Sequence, residues 1–300
     1  MSSDDVVALV YLLRHPQIEV VGIGSANGVA HVGPAARNVL RLLALVGRED
    51  VPVAVGSETA LEGNNNFPPG WRGTADSLFG LDVPAARAQP VPESTADLLA
   101  KVVNARPGEL VVVLLGAHTD LATALRKDPS LAKRIRGVHM MGGAVRVSGN
   151  INLEYGAIAN KVAEWNLWLD YRAAAEVFQA GIPMRVVPLD ATNQVRVDRA
   201  YYDRFAAAAT SAVAKTLVQL WKSQLGNTGQ GFYIWDAVAA VTLPAPQMAQ
   251  WEPLALAVAT EPADKQGQTT IVSGKPANAQ MCGTVDVVAL QQELLRVCNR

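Results

Sequence analysis

Acid and amide side chains are concentrated between His139 and Asp170, where the chain reads HMMGGAVRVSGN and then NKVAEWNLWLD. Glu164 and Asn166 are two positions apart, so we expect their side chains to project in the same direction from an extended segment. A carboxylate only accepts hydrogen bonds, whereas an amide both donates and accepts, and side by side they can hold vicinal hydroxyl groups. This pair predicts a sugar-binding site.

Acids and hydroxyls also occur where apolar segments meet helices elsewhere in the chain. Asp4 and Asp5 open a helical pattern, Thr119 follows the apolar run LVVVLLGAH, and Asp236 follows Trp235 at the start of an Ala-rich helix. Taken singly, each is typical of a residue that caps or begins a helix. If these segments converge, their oxygens come from separate parts of the chain, as the ligands of a hard cation do.

The segments that must position these residues alternate between apolar strands and helices. This alternation predicts an α/β fold with a mostly parallel central sheet flanked by helices, and ligands bind at the carboxyl ends of such strands. Strands are expected at 18–23, 51–55, 110–115, 138–141, 183–187, 254–260 and 269–272. Helices are expected from 4, near 34–46, from 94, and at 119–135, 171–180, 197–225 and 232–243, with a long loop at 56–84.

Length and composition limit the classes of protein to consider. We expect residues 1–300 to form one domain with helical additions after residue 190, because no linker or internal repeat divides the chain. The net charge of −1 argues against nucleic acid as a partner. No transmembrane run or signal peptide is present, so we expect a soluble, cytoplasmic protein. The spacing of Cys282 and Cys298 matches neither a metal site nor a redox motif. Two buried thiols are a simpler interpretation than a disulfide between them.

Other motifs favour alternative functions only weakly. Gly22, Gly24 and Gly28 have the spacing GxGxxxG rather than the GxGxxG of dinucleotide-binding proteins. The four histidines lack the paired spacing of a zinc site. Trp71 and Trp235, in a loop and at a helix start, are better placed for stacking on a base than Trp165 and Trp168, which the pattern assigns to the core.

The order of the motifs resembles that of the nucleoside hydrolases, specifically the calcium-dependent, inosine–uridine-preferring N-ribohydrolases. The resemblance covers nearly the whole chain and is carried by SSDDVVALVYLLRHP, LLGAHTDLATAL, MMGGAVRVSGN, VAEWNLWLD, VPLDATNQV and FYIWDAVAAV. It implies hydrolysis of ribonucleosides to ribose and free base, with Ca²⁺ as cofactor and a homo-oligomer, dimer or tetramer, as the assembly.

The resemblance also implies roles for individual residues. Ca²⁺ would be bound by the Asp5 and Asp236 carboxylates and the Thr119 carbonyl oxygen, which makes Asp5 and Asp236 the catalytic acids of this chain. The ribose would be held by Asp4, Asn27, Glu164 and Asn166, and by either Asn150 or Asn160, since the spacing leaves both open. Trp235 would contact the base.

The chain departs from the family pattern in two places. The family has a central strand that ends in Asp-x-Asp just before the position of Met1, and its second Asp is a metal ligand and the presumed base. We expect either that Met1 is an internal methionine or that this acid is lost. In the first case an upstream-extended form would be active, and in the second the chain would be a ribose- or nucleoside-binding homologue.

The second departure concerns the leaving group. Trp235 replaces a histidine that the family uses to protonate the purine, and an indole N–H can only donate a hydrogen bond. The segment 64–76 also lacks a His-Gly pair. Stacking on Trp235 or Trp71, or another group such as His31, could activate the base instead, so the base preference stays open.

Overall fold

Short strands and helices alternate along the chain, as the apolar pattern predicts. The computed structural model describes residues 1–151, 158–229 and 231–300. Its strands are β1 (Ile23–Gly24), β2 (Val53–Ala54), β3 (Val111–Leu114), β4 (Gly137–Met141), β5 (Met184–Val187), β6 (Arg196–Val197), β7 (Phe232–Tyr233), β8 (Ala249–Leu254), β9 (Leu256–Val258), β10 (Thr269–Ile271) and β11 (Ala279–Val285).

The helices lie mostly between these strands. They are α1 (Ser3–Arg14), α2 (Val32–Val46), α3 (Pro69–Asp76), α4 (Thr95–Ala105), α5 (Thr119–Lys127), α6 (Trp165–Leu169), α7 (Tyr171–Gln179), α8 (Leu189–Thr192), α9 (Arg199–Ala208), α10 (Ala212–Thr228), α11 (Trp235–Thr242) and α12 (Val287–Cys298). Short 3₁₀ turns lie at Leu78–Gly80, Pro129–Lys133, Pro246–Met248 and Ala263–Lys265. Within the described residues, none of the helices is both long and apolar enough to cross a membrane.

The central sheet has the strand order β3-β4-β5-β11-β8. The first four strands run parallel, and β8 is antiparallel to β11 at one edge. β4 is buried at every position because helices cover both faces of the sheet. The predicted α/β fold with a mostly parallel sheet is therefore confirmed.

Helix α1 begins where its sequence predicts. Ser2 caps it: the Ser2 hydroxyl accepts a hydrogen bond from the Asp5 N–H (3.4 Å), and the Asp5 carboxylate accepts one from the Ser2 N–H (2.6 Å). This reciprocal capping box satisfies two backbone donors of the first turn. The apolar side of the helix is buried against α11 and α12. Packing of α1 on α11 brings the starts of two distant helices together.

A slot separates β1 and β2 from the central sheet. In the described part of the chain, β1 pairs only with β2, and β3 pairs only with β4. Their free edges line one cavity of about 1820 Å³ that is continuous with the cleft at the carboxyl ends of the strands. The strand predicted at 18–23 is only two residues long, because within the described residues only Ile23 and Gly24 pair with a neighbouring strand, β2.

Several sequence predictions differ from the structure. The loop predicted at 56–84 contains α3, and the helix predicted at 197–225 is split into α9 and α10 after a short strand. The helix predicted at 232–243 begins only at Trp235, because Phe232 and Tyr233 pair with β6. No element was predicted after residue 272, where β11 and α12 lie. The interpretation of Cys282 and Cys298 as buried, free thiols is confirmed.

Gly24, the second glycine of the GxGxxxG segment, is required for packing. A side chain at Gly24 would place its Cβ 2.1 Å from the Thr95 Cγ2 atom of α4. Glycine is therefore needed at this position for the close approach of α4 to β1. This explanation requires no bound dinucleotide.

Candidate active site

Three buried acids from distant parts of the chain lie at the cleft. Asp4, Glu164 and Asp236 are 7%, 2% and 4% exposed, and all line the same cavity. The Asp236 N–H donates a hydrogen bond to the Asp4 carboxylate at 3.3 Å. Asp4 and Asp236, from two of the segments predicted to converge, thus meet at the cleft, and Glu164 of the predicted sugar-binding pair lies there with them.

Their pKa values reflect burial first and mutual repulsion second. Burial raises the pKa of Asp4 to about 6, and the charge of Asp5 adds to this effect. The pKa of Asp236 rises well above its usual value because of burial and then the charges of Asp4, Asp5 and Glu164. Burial raises the pKa of Glu164 to about 7, against three backbone N–H groups that favour its charged form. A cation or a set of hydroxyl donors would relieve this repulsion.

Glu164 and Asn166 were predicted to project in the same direction from an extended segment. This local geometry is wrong, because both residues lie at the start of α6. Glu164 is the N-cap of α6, and its carboxylate accepts hydrogen bonds from the backbone N–H groups of Asn166 (2.9 Å) and Gly143 (3.1 Å). A carboxylate satisfies helix-start donors well, which favours the helix over the strand. Asn166 lies in the first turn and donates to the Met141 carbonyl (3.2 Å), and both residues line the cleft.

The two asparagines left open by the sequence have different surroundings. Asn150 lines the cleft and accepts a hydrogen bond from the Trp165 N–H (3.1 Å). Asn160 accepts from Val162 and Ala163 and donates to the Gln266 carbonyl (2.8 Å), and it is not among the described residues that line the cavity. Asn160 is thus used for local structure. Much of the insert that separates the two asparagines, 152–157, lies outside the described residues.

Thr119 and Asp5 have partners in this structure. The Thr119 hydroxyl donates to the Asp170 carboxylate at 2.7 Å, and Thr119 is buried and is not among the described residues that line the cavity. Asp5 lines the cleft and lies 3.8 Å from the Met1 amino group. Within the described residues, no group of three or more His, Cys, Asp or Glu side chains is placed to hold a metal ion. The donor set still suits a hard cation, because Asp4 and Asp236 are buried, repel each other and offer only oxygen atoms.

Two aromatic groups line the cleft. Phe67 and Trp165 stack with ring centroids 4.2 Å apart, and Trp71 packs against Trp165 at 5.9 Å. Elsewhere on the cleft wall, Trp235 stacks on Tyr233 at 5.5 Å. The indole N–H of Trp235 donates to the Asn193 side chain at 2.8 Å. Trp165, assigned to the core from its pattern, is both buried and part of the cleft wall.

His31 and Asp120 occupy contrasting positions. The Nδ1 atom of His31 lies 2.7 Å from the Asp76 carboxylate, and His31 is not among the described residues that line the cavity. Asp120 does line it, and burial raises the pKa of Asp120 to about 6. In the sequence Asp120 is simply an acid in the first turn of the helix that follows the apolar run LVVVLLGAH, but its position after a parallel strand was a signal for the cleft.

Asn27 and Arg72 form a polar contact beside the cleft. Asn27 is 3% exposed, lines the cavity and accepts a hydrogen bond from the Arg72 guanidinium at 3.2 Å. Arg72 was missed from the sequence because nothing in its local pattern distinguishes it from a surface arginine of a short helix.

A mostly parallel sheet with buried carboxylates and amides from distant segments at its carboxyl edge defines an α/β protein with a polar cleft. The chain belongs to the inosine-uridine preferring nucleoside hydrolase family, whose model matches residues 1–292.

Named relatives agree with this assignment. A probable uridine nucleosidase 2 of Arabidopsis thaliana is 31% identical over 206 residues, which are 68% of this chain and 62% of the relative. The chain therefore spans less than two thirds of that relative. The pyrimidine-specific ribonucleoside hydrolase RihA of Citrobacter koseri is 28% identical over 94% of this chain and 90% of its own length. A solved plant nucleoside hydrolase is 26% identical, covers 99% of this chain and 96% of its own, and has a TM-score of 0.87.

Proposed function

We propose that this protein hydrolyses the N-glycosidic bond of ribonucleosides to give ribose and the free base. The observation that carries the proposal is the convergence of Asp4, Glu164 and Asp236, buried and from three separate helix starts, on one cleft. Cleavage of this bond passes through a ribosyl cation of oxocarbenium character. Fixed carboxylates around the sugar stabilise that cation, and burial together with mutual repulsion raises the pKa values of Asp4 and Asp236.

The ribose hydroxyls are assigned to the amides and acids at the base of the cleft. In this assignment Asp4 and Glu164 accept hydrogen bonds from the hydroxyls, and Asn27, Asn150 and Asn166 orient them. Asn150 is favoured over Asn160 because it lines the cleft, whereas the Asn160 side chain is committed to backbone partners. The hydroxyl contacts fix the anomeric carbon with respect to the attacking water.

Calcium is the cofactor that the donor set supports best. The carboxylates of Asp5 and Asp236 and the carbonyl oxygen of Thr119 would hold it, since all are oxygen ligands. When bound, the ion supplies a Lewis acid that lowers the pKa of the attacking water. The same ion would offset the repulsion that raises the pKa of Asp236.

The leaving base is activated by stacking in this proposal. Trp235 cannot protonate the base, and its indole N–H is already donated to Asn193. The aromatic faces of Trp235 and Tyr233, and of Trp71 and Trp165, provide the walls for a flat base. Because relatives are named for uridine and for pyrimidine nucleosides, uridine is tested beside inosine.

The chain is proposed to form one domain over residues 1–300, and the slot between β1 and β3 bears on its catalytic activity. Two free parallel edges that face one cavity support the expectation of a further strand there. The slot between β1 and β3 also favours the second candidate function, a nucleoside-binding protein with impaired catalysis. A form extended ahead of Met1 that hydrolyses nucleosides faster than residues 1–300 would favour the enzyme.

The cellular setting belongs to the proposal as well. Nucleosides are the small-molecule partners, the assembly is a homo-oligomer, either a dimer or a tetramer, and the location is the cytoplasm. Nucleic acid and membranes are not proposed as partners.

The test of the proposed function is a panel of ribonucleosides assayed for released ribose and base, with calcium and with a calcium chelator. We expect release of ribose from at least one nucleoside, and loss of that release in the chelator. Binding of a nucleoside without release would support the binding function instead. No binding and no release would refute both.

A further inference from the structure

Arg72 is a buried cation directly behind the cleft. It lies on α3, next to Trp71, and is only 7% exposed. Its guanidinium donates to the Glu58 carboxylate at 2.6 Å and to the Asn27 side-chain oxygen at 3.2 Å. A longer contact of 3.4 Å reaches Asn66. Among the described residues that line the cavity, Asn27 and Trp71 are present and Arg72 is not, so Arg72 acts on the cleft through its neighbours.

The donor chemistry of arginine fixes the orientation of Asn27. A guanidinium only donates hydrogen bonds, so the Asn27 atom that faces it must be the oxygen. The Asn27 nitrogen then carries two hydrogens, of which one is donated to Asn66 Oδ1 at 3.4 Å within the described residues. The other is left for an acceptor in the cleft. Without Arg72, rotation of the Asn27 amide is opposed, within the described residues, by the long 3.4 Å hydrogen bond to Asn66 Oδ1.

Glu58 holds the guanidinium in place. Its second carboxylate oxygen accepts a hydrogen bond from the Val32 N–H at 2.9 Å, at the start of α2. The Glu58 side chain is 40% exposed, so water can solvate it when Arg72 is absent. The buried partner is Asn27, and loss of Arg72 therefore affects Asn27 more than it affects Glu58.

We propose that Arg72 is a positioning residue that fixes the Asn27 amide as a hydrogen-bond donor to a ribose oxygen of the substrate. This inference rests on the proposed function, because it takes the ligand of the cleft to be a ribonucleoside. Arginine suits the role because its Nη2 donates to Glu58 and Asn27 while Nη1 of the same rigid plane reaches Asn66, and the single ammonium of a lysine cannot reproduce this arrangement.

The test compares Asn27→Ala, Arg72→Met, Arg72→Lys and the double variant Asn27→Ala/Arg72→Met. Each is assayed with uridine and with its 2′-, 3′- and 5′-deoxy analogues. The readout is the ratio of kcat/KM for uridine to kcat/KM for each analogue, which does not depend on the fraction of enzyme that is folded. The control is Arg126→Met, which removes a surface arginine paired with Glu176.

For one of the analogues, Asn27→Ala and Arg72→Met are expected to lower this ratio by about 10-fold or more, as loss of a fixed hydrogen bond does. The double variant loses no more than either single variant, Arg72→Lys falls in between, and Arg126→Met keeps the wild-type ratio. An Arg72→Met ratio equal to wild type, beside a lowered ratio in Asn27→Ala, would overturn the proposal.

If the wild-type protein releases no ribose, the proposed function is refuted. The inference about Arg72 is then tested by a second measurement. Thermal unfolding of wild type, Asn27→Ala, Arg72→Met and the double variant then measures the coupling of Arg72 with Asn27 by a double-mutant cycle. Coupled effects support the positioning of Asn27 by Arg72, and additive effects overturn it.

Discussion

The carboxylates of Glu164 and Asp236 at the cleft have different neighbours. Glu164 accepts three backbone hydrogen bonds, from Gly143, Asn166 and Leu167, whereas Asp236 has acidic neighbours in Asp4 and Glu164. Glu164 is thus built rigidly into the start of α6. Its carboxylate cannot be replaced by an amide without turning an NH₂ group toward a backbone donor.

Glu164→Gln is expected to lower kcat/KM for a ribonucleoside by about 10- to 1000-fold, because the cleft loses a fixed charge that stabilises the ribosyl cation. Steady-state kinetics on the best substrate of the panel measure this change. The control Glu176→Gln changes the same side chain on the surface, in its ion pair with Arg126, and should keep the wild-type value. Wild-type kinetics in Glu164→Gln would remove Glu164 from the site.

Helix starts are the elements that build the site. α1, α6 and α11 each bring an acid to the cleft at or near their first residue, where the positive end of the helix favours a negative charge. Asp170 joins two further elements, since its carboxylate accepts hydrogen bonds from the Thr119 hydroxyl (2.7 Å), the Leu61 N–H (2.7 Å) and the Ala173 N–H (3.0 Å).

Asp170→Asn is expected to lower the free energy of unfolding by roughly 2 to 4 kcal/mol, because a fully buried, triply bonded carboxylate is replaced by an amide that repels one donor. Urea unfolding measures this loss. Asp128→Asn is the matched control, because Asp128 caps an exposed 3₁₀ turn and should cost less than about 1 kcal/mol. Equal losses in the two variants would contradict the role of Asp170.

The sequence predicted the elements with strong local signals and failed where the signal is tertiary. The capped starts of α1 and α4 were found because Ser2 and Ser94 precede acidic first turns. The strand at 18–23 was predicted too long, since its pairing depends on a neighbour that no local pattern reveals. Arg72 was missed for the same reason, because its burial is set by the fold of the 56–84 segment.

At the scale of the whole molecule, burial shifts the pKa values of histidines and acids toward the neutral form. Burial lowers the pKa of His118 and of His139 from 6.5 to about 4. Both His118 ring nitrogens lack a hydrogen bond within the described residues, although the Gly116 backbone interacts weakly with the ring. The unfolded chain binds protons at these histidines at a higher pH than the folded one, so they lower stability as the pH falls from 6.5 toward 4.

His118→Leu is expected to gain stability over wild type as the pH falls from 6.5 to 4, by about 1.4 kcal/mol per pH unit, since the variant has no such proton to bind. The prediction concerns the difference between the two proteins, because the raised pKa values of Asp120 and Glu164 act in the opposite direction in both. Urea unfolding at several pH values gives this difference. A difference that does not change with pH would contradict it.

The most direct test of the proposed activity is calcium-dependent release of ribose from uridine and inosine. It compares wild type with Asp236→Asn and with Asp264→Asn, a control at an exposed surface residue. We expect wild type and Asp264→Asn to release ribose only when calcium is present. Asp236→Asn should be slower by a factor on the order of 1000 or more, as for loss of a central catalytic group. Release by Asp236→Asn at the wild-type rate, or release that persists fully in a chelator, would contradict it.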